Sequence, residues 1–397
     1  MTETSIENTT LVKPEFTQEE YKQRRQRAAA LMKSQGIDAL VLNSEANNRY
    51  FTGHATGRWL NRTRPIFLII TKEAAATILC STKSEQDTAL MTTGGGCEIK
   101  VFGGTGHDLN PGLKGLVDEL QALGLSKARV AAELGIHHRP QLPPLAFDWL
   151  RAALPQMILE DGSDLLWRVR AIKSAGEIGY MKTAIGITHR MYDKVPEWLG
   201  TAKTEREVFT RVGLDLLTLG GETVGYRCVN TVGQPWDGGY TDRSIRRDSV
   251  IFIDACCSVA GYWSDFCRVF AVGAPTPDEE DTYKRLWDIT SEEIAAVRPG
   301  MTINQLYSAA RGSTERMTSG ALPTLGRVGH SIGLEIVEPP SICAEQDWVI
   351  EPGMVLCIEP SLTTSSGNQL VAEEMVAVRE NGAELLTRRA PERIRRV

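Results

Sequence analysis

The sequence predicts two domains of different build, an α/β N-terminal part and a mixed α+β C-terminal part. Three observations carry this expectation. At 397 residues the chain exceeds what one hydrophobic core usually organises. Up to about residue 160, apolar strand-like runs alternate with helical stretches. From Arg247 onward the pattern turns to period two and to apolar runs that carry isolated acidic residues.

The elements follow in order. Glu19 to Gln35 is rich in helix formers, and Gly36 is placed as its stop. IDALVLNS and Ile66 to Thr71 read as buried strands. The glycines at 94–96 and 103–104 mark turns, since no phosphate-loop pattern accompanies them. Ser174 with Glu177 three residues on is a capping box that opens a helix reaching about Asp193. Another helix spans Glu205 to Leu219 and ends at Gly220 and Gly221. SVIFIDACCS and GYWSDFCRVFAVG read as paired strands, Pro277 to Val297 and MTINQLYSAARGSTERMTSG as helices. GMVLCIEPSL and NQLVAEEMVAVRE read as the closing strands. The domain expectation is a mobile arm over 1–15, an N-terminal domain over 16–165 and a C-terminal domain over 166–397.

Composition narrows the function. A formal net charge of -6 argues against nucleic acid as the main partner, because phosphate binding needs a positive footprint. The polar N-terminus lacks the basic and apolar regions of a signal peptide, and no apolar run reaches the ~18 residues of a membrane span. The eight cysteines form no CxxC pair and several sit in apolar runs such as VLCIEP, where they read as small hydrophobes. A reducing, cytoplasmic setting is the expectation.

The chemistry lies in the C-terminal part. A tight turn around Val259-Ala260 would set Asp254 directly opposite Asp265, with Cβ atoms about 5 Å apart. Like charges so placed need a positive compensator, and a divalent ion is the strongest one. Glu359 in VLCIEPS and Glu373 with Glu374 in LVAEEMVAV repeat the oddity, since lone carboxylates in buried strands are costly. His330, flanked by Gly329 and Gly333, is the sole histidine after His189. Each residue alone has a plain structural reading, a core histidine or an edge aspartate. Together they form an oxygen-rich, single-imidazole set suited to Mn, Fe or Co.

The order Asp, a second Asp eleven positions on, then GHxxGLxxxE, IEP and a strand Glu resembles the pita-bread metallohydrolases of peptidase family M24, which include prolidase, aminopeptidase P and creatinase. GIDALVLNSEANNRYFTG resembles their creatinase/prolidase-type N-terminal domain, and WRVRAIKSAGEIGYMKTA their connector. The resemblance implies a C-terminal pita-bread catalytic domain and two divalent ions (Mn, Fe, Co or Zn). The implied metal ligands are Asp254, Asp265, His330, Glu359 and Glu373. It also implies amide hydrolysis by metal-bound hydroxide, with Glu359 handling the proton, in a homodimer acting on a small molecule.

Departures from the family pattern bear on the substrate. The peptidase histidine expected seventeen residues before the first aspartate falls on or beside Asp237. The second histidine, seven residues after His330, is replaced by Val337. The arginine two residues before Glu373 is Val371. The expectation is therefore a hydrolase of a small amide or other C–N bond with little Xaa-Pro cleavage. Asp237 and Glu338 are its candidate acid–base groups, and Trp236, Tyr240, Trp263 and Val337 line its substrate side. The alternatives are a lyase of the dimethylsulfoniopropionate-lyase type, with Asp237 or Glu338 as base, and a binding protein without catalysis.

Overall fold

The computed structural model describes residues 15–60, 64–103, 110–234, 239–318 and 326–397. The arm expected over 1–15 lies outside the described residues except for Glu15, whose carboxylate accepts from Arg49 Nε at 3.0 Å. Contacts divide the chain into two compact units between Val169 and Arg170.

The first unit is an α/β layer structure. Its strands are β1 (Ala39–Leu42), β2 (Phe67–Thr71), β3 (Ala76–Cys80), β4 (Glu98–Val101), β5 (Arg129–Ala132) and β6 (Ile158–Asp161). They form one sheet in the order β4-β3-β2-β1-β5-β6. The β1–β2 and β2–β3 pairs are antiparallel, the second of them a hairpin, whereas the β3–β4, β1–β5 and β5–β6 pairs are parallel. Parallel pairs require crossover helices. Between strands run α2 (Glu45–Thr52), α3 (Lys83–Thr93), α4 (Asn110–Ala122) and α5 (Pro144–Ala153), preceded by α1 (Gln18–Gln35) and followed by α6 (Ser163–Ala171). The C-terminal stop of α1 is Gly36 in the left-handed region, φ 70°, as its sequence position predicts.

Among the described residues the second unit carries three sheets and four long helices. α7 (Ala175–Trp198) opens with the Ser174–Glu177 capping box and runs past Asp193 to Trp198, with Pro196 inside its last turn. A proline that close to the end removes one hydrogen bond without breaking the helix body. Then come α8 (Glu205–Thr218), β7 (Thr223–Thr231), β8 (Val250–Val259), β9 (Tyr262–Trp263), β10 (Phe266–Ala271), α9 (Pro277–Ala296) and α10 (Ile303–Thr318). The chain closes with β11 (Gly329–Ser331), β12 (Glu338–Ser341), β13 (Val355–Ile358), β14 (Ser361–Thr363), β15 (Gln369–Val371), β16 (Glu374–Arg379), β17 (Gly382–Leu385) and β18 (Arg395–Arg396). One sheet runs β18-β10-β8-β7 with β9 on β8, another β12-β11-β13-β16-β17, and β14 pairs β15 apart from both. Among the described residues no helix is long and apolar enough to cross a membrane.

Two differences from the sequence reading position the site. The β8–β9 turn is Ala260-Gly261, with φ 52° and 76°, because a two-residue hairpin turn wants positive φ at both positions and glycine supplies one of them readily. The register is therefore offset by two from the expected one: Asp254 opposes Cys267, and Asp265 lies diagonal to Asp254 on the same face. The two closing runs are also not continuous strands. They break at Glu359-Pro360 and at Ala372-Glu373, passing from the five-stranded sheet to the β14–β15 ribbon. Proline has no amide proton to extend the ladder, which accounts for the first break, and both glutamates sit where the chain leaves its sheet.

Helix α9 shows one anomaly. Its buried stripe runs Glu279, Tyr283, Leu286, Ile289, Thr290 and Glu293 at helical spacing. Neither carboxyl oxygen of Glu293, 1% exposed, has a hydrogen-bond partner. Burial, with help from Glu292, pushes its pKa well above the usual 4.5. A raised carboxyl pKa removes stability as pH rises above that ordinary value. Glu293→Leu is expected to stabilise the fold, and by more near pH 7 than near pH 4. Urea unfolding at the two pH values measures this, and an equal gain at both would refute it.

Candidate metal centre

The centre is assembled from cross-strand neighbours. The register His330↔Cys357↔Met375 on β11, β13 and β16 sets these three side chains in one row on one face. Alternation then brings Glu359, two residues after Cys357, and Glu373, two before Met375, to that same face. Glu374 points the other way. It is fully buried and accepts from Arg268 Nη2 and Arg389 Nη1, each at 3.1 Å, and from the Ala390 amide at 2.8 Å. On the facing sheet, Asp254 lies between Cys228 and Cys267 across β7, β8 and β10, with Asp265 just before β10.

The glycines around His330 are steric requirements. A Cβ at Gly329 would lie 2.0 Å from the Cys357 carbonyl oxygen, so only glycine lets β11 approach β13 here. A Cβ at Gly333 would lie 2.6 Å from Glu338 Oε1. Both would force backbone or a buried carboxylate to move.

His330 Nδ1 is 2.9 Å from the Ser331 carbonyl oxygen. A carbonyl only accepts, so Nδ1 carries the proton and Nε2 presents its lone pair. That lone pair faces Asp265 Oδ2 at 3.7 Å and Glu373 Oε1 at 4.0 Å. Burial, and then Arg327, hold the imidazole pKa down to about 4, so it is neutral at pH 7. Ligand atoms of Asp265, His330, Cys357 and Glu373 all lie within 4.8 Å of one another. Atoms bound at about 2.0–2.3 Å to one ion stand about 3–4 Å apart, so a modest contraction closes this set on a cation.

The electrostatics ask for that cation. Burial, and next the Glu359 charge, push Asp254 up to about 8. Burial and the other carboxylates push Asp265 and Glu373 well above the carboxylate range. Glu359, half-buried, is raised by burial while Arg327 opposes the rise. Asp254 Oδ1 is buried without a hydrogen-bond partner. Buried acids sharing one cavity, one with an orphaned oxygen, fit a divalent ion better than they fit protons.

The remaining candidates are the acid–base and substrate-side residues. Trp236 and Asp237 lie outside the described residues. Tyr240 is tied up at the surface: its ring packs on Phe209 at 4.3 Å, and Arg206 Nη1 donates to its hydroxyl at 3.1 Å. Trp263 donates its indole N–H to the Leu334 carbonyl at 3.1 Å and lies against Gly225. Both side chains thus have packing roles. Val337 is 37% exposed, whereas Val371 is buried in an apolar cluster with Leu362 and Leu370.

Glu338 is not a free base. Its carboxylate, 1% exposed, accepts from Arg170 Nη2 and, at 3.3 Å, from Lys173 Nζ. Burial raises its pKa, but the two cations outweigh burial and hold it below the carboxylate range. Lys173 also donates to Ser331 Oγ at 3.1 Å, next to His330. Glu338 anchors a buried ion cluster behind the histidine strand.

Sequence reasoning missed Cys357 and Arg327. Cys357 stands two residues before Glu359 and so shares its face, a signal masked by the ordinary look of cysteine in an apolar run. Arg327, three residues before His330, had no pattern to single it out.

Fold and site together define a two-part protein with a buried carboxylate–imidazole cluster suited to a divalent ion. The chain belongs to metallopeptidase family M24, whose family model matches residues 179–380, while residues 24–172 match the creatinase/prolidase N-terminal domain. Over 226 residues, 56% of this chain, it is 31% identical to the probable dipeptidase PepE of Mycobacterium tuberculosis, covering 60% of that protein. Over 228 residues, 57% of this chain, it is 29% identical to the Xaa-Pro dipeptidase of Pyrococcus furiosus, covering 65% of it. The chain thus spans less than two thirds of the length of these curated relatives. The crystal structure of dipeptidase PepE from Mycobacterium ulcerans aligns with a TM-score of 0.82 and 26% identity, over 96% of this chain and 99% of that one.

Proposed function

We propose that the chain is a divalent-metal-dependent hydrolase that cleaves an amide or related C–N bond of a small substrate. The observation that carries this reading is the His330 lone pair facing Asp265 and Glu373 inside a buried acid cluster. Asp254, Asp265, His330, Glu359 and Glu373 would hold the metal, as a pair of ions. Bound there, divalent ions supply Lewis-acid polarisation and water activation near neutral pH.

The chain's own residues supply the rest. Glu359 is the half-buried carboxylate of the set and can take a proton from water and return it to a leaving amine. Glu359→Gln is expected to lower turnover by about a hundredfold or more, measured as kcat at saturating metal. A change under about tenfold would remove Glu359 from the acid–base role.

The substrate side favours something other than a prolyl peptide. At Val337 two methyls stand where the peptidase pattern has an imidazole, and they cannot hydrogen-bond a carbonyl oxygen. The apolar burial of Val371 leaves no charge at the arginine position. The names of the relatives make dipeptides the first class to assay, followed by N-acyl amino acids and cyclic amides. Amine release from one of these by metal-loaded protein is the expected result, with Gly-Pro among the poorest. Dimethyl sulfide released from dimethylsulfoniopropionate, with no amine from any amide, would replace hydrolysis by the lyase reading.

A further inference from the structure

Cys357 lies in the row of side chains that faces the acid cluster. Its thiol stands directly opposite His330 in the β11–β13 register, is fully buried, and belongs to the four-atom group with Asp265, His330 and Glu373. Its Sγ lies 3.8 Å from the Asp265 carbonyl oxygen, a weak contact. Cys256 is different, since its Sγ donates to the Tyr226 carbonyl at 3.1 Å. Asp254 Oδ1, buried and orphaned, is the independent sign that this cavity is built around something positive.

We propose that the Cys357 sulfur is itself a ligand of the divalent ion at the Asp265–His330–Glu373 position, making that position selective for thiophilic Zn2+, Co2+ or Fe2+ over Mn2+. One sulfur, one imidazole and two carboxylate oxygens can surround a four-coordinate ion. Carboxylate and water ligands suit Mn2+, whereas a thiolate shifts preference toward softer ions. Ligation breaks the S–H bond, forms the sulfur–metal bond and releases one proton to solvent. The inference rests on the metal-centre reading above and adds to it a donor and a metal preference.

The test uses the full chain, stripped with a chelator and reloaded with Co2+. A near-ultraviolet thiolate-to-cobalt charge-transfer band is expected in the native chain and in Cys256→Ser. It is expected to vanish in Cys357→Ser and Cys357→Thr, which should still bind cobalt about tenfold or more weakly. In competition, the preference for Zn2+ over Mn2+ is expected to fall by a similar factor in both Cys357 variants. Cobalt bound by the native chain without the band, or a band that survives both Cys357 substitutions, overturns the sulfur ligand and leaves the metal centre standing. If the native chain retains none of Co2+, Zn2+ and Mn2+, the metal reading fails and this inference fails with it.

Discussion

Stripped of divalent ions, the protein is expected to lose stability steadily as pH rises from about 4 to about 8, and divalent ions should restore it. Burial and repulsion from neighbouring carboxylates raise Asp254 from 3.8 to about 8 and also raise Asp265 and Glu373, and burial raises Glu359. A carboxyl whose folded pKa exceeds its unfolded value binds a proton more tightly when folded. Its stabilising contribution is complete below the unfolded value and is lost as pH climbs through the folded one. For several coupled acids the loss is several kcal/mol. A divalent ion reverses the balance, because it binds the deprotonated set and only the folded chain presents that set. At a hundredfold excess over its Kd, one ion adds about 2.7 kcal/mol, or about 5–10 °C in the Tm of a unit this size. Calorimetry across pH, with chelator and with ion, measures both effects. Asp265→Asn and Glu373→Gln should flatten the chelated profile and abolish the ion's shift. A chelated Tm that does not fall with pH, together with no shift on adding ions, would end the metal-centre reading.

The centre was largely legible in the sequence because ionisable residues inside apolar runs are conspicuous. Asp254, Glu359 and Glu373 stand out from IFIDACC, VLCIEP and LVAEEMV by chemistry alone. Cys357 was not, because a thiol and a methyl look alike in such a run until register sets one against His330. The Asp254–Asp265 geometry was missed by two residues. Period-two patterning fixes which face a side chain takes, but the partner across the hairpin depends on which two residues accept positive φ. The same limit hid the breaks at Glu359-Pro360 and Ala372-Glu373, where apolar character continues while the hydrogen-bonding partner changes. Glu338 was misjudged as a free acid because its cations, Arg170 and Lys173, lie more than 160 positions away in the chain.

That ion cluster sets up the second large effect. Glu338→Gln is expected to destabilise the second unit by up to about 3–5 kcal/mol, since it leaves the buried Lys173 ammonium beside a neutral amide and leaves Arg170 with Glu335, at 3.1 Å, as its carboxylate partner. The pH dependence should run opposite to that of the metal centre. Glu338 has a lowered folded pKa, so its contribution is present above the ordinary 4.5 and fades as pH falls through the folded value. In the native chain the cluster therefore adds to acid-side loss, and in Glu338→Gln that component of the acid slope should disappear along with the stability. Urea unfolding near pH 7 and near pH 4 separates the cases. A structural anchor shows a large loss near neutrality that shrinks in acid, with the folded fraction still binding metal when the ion is supplied in excess. A catalytic base shows unchanged unfolding and a collapse of turnover instead. Its neighbours make the first outcome the expected one: Lys173 also binds Ser331, whose carbonyl holds His330 Nδ1. Losing Glu338 should thus loosen the strand that aims the imidazole, and affinity for the ion should weaken by about tenfold even where the fold survives.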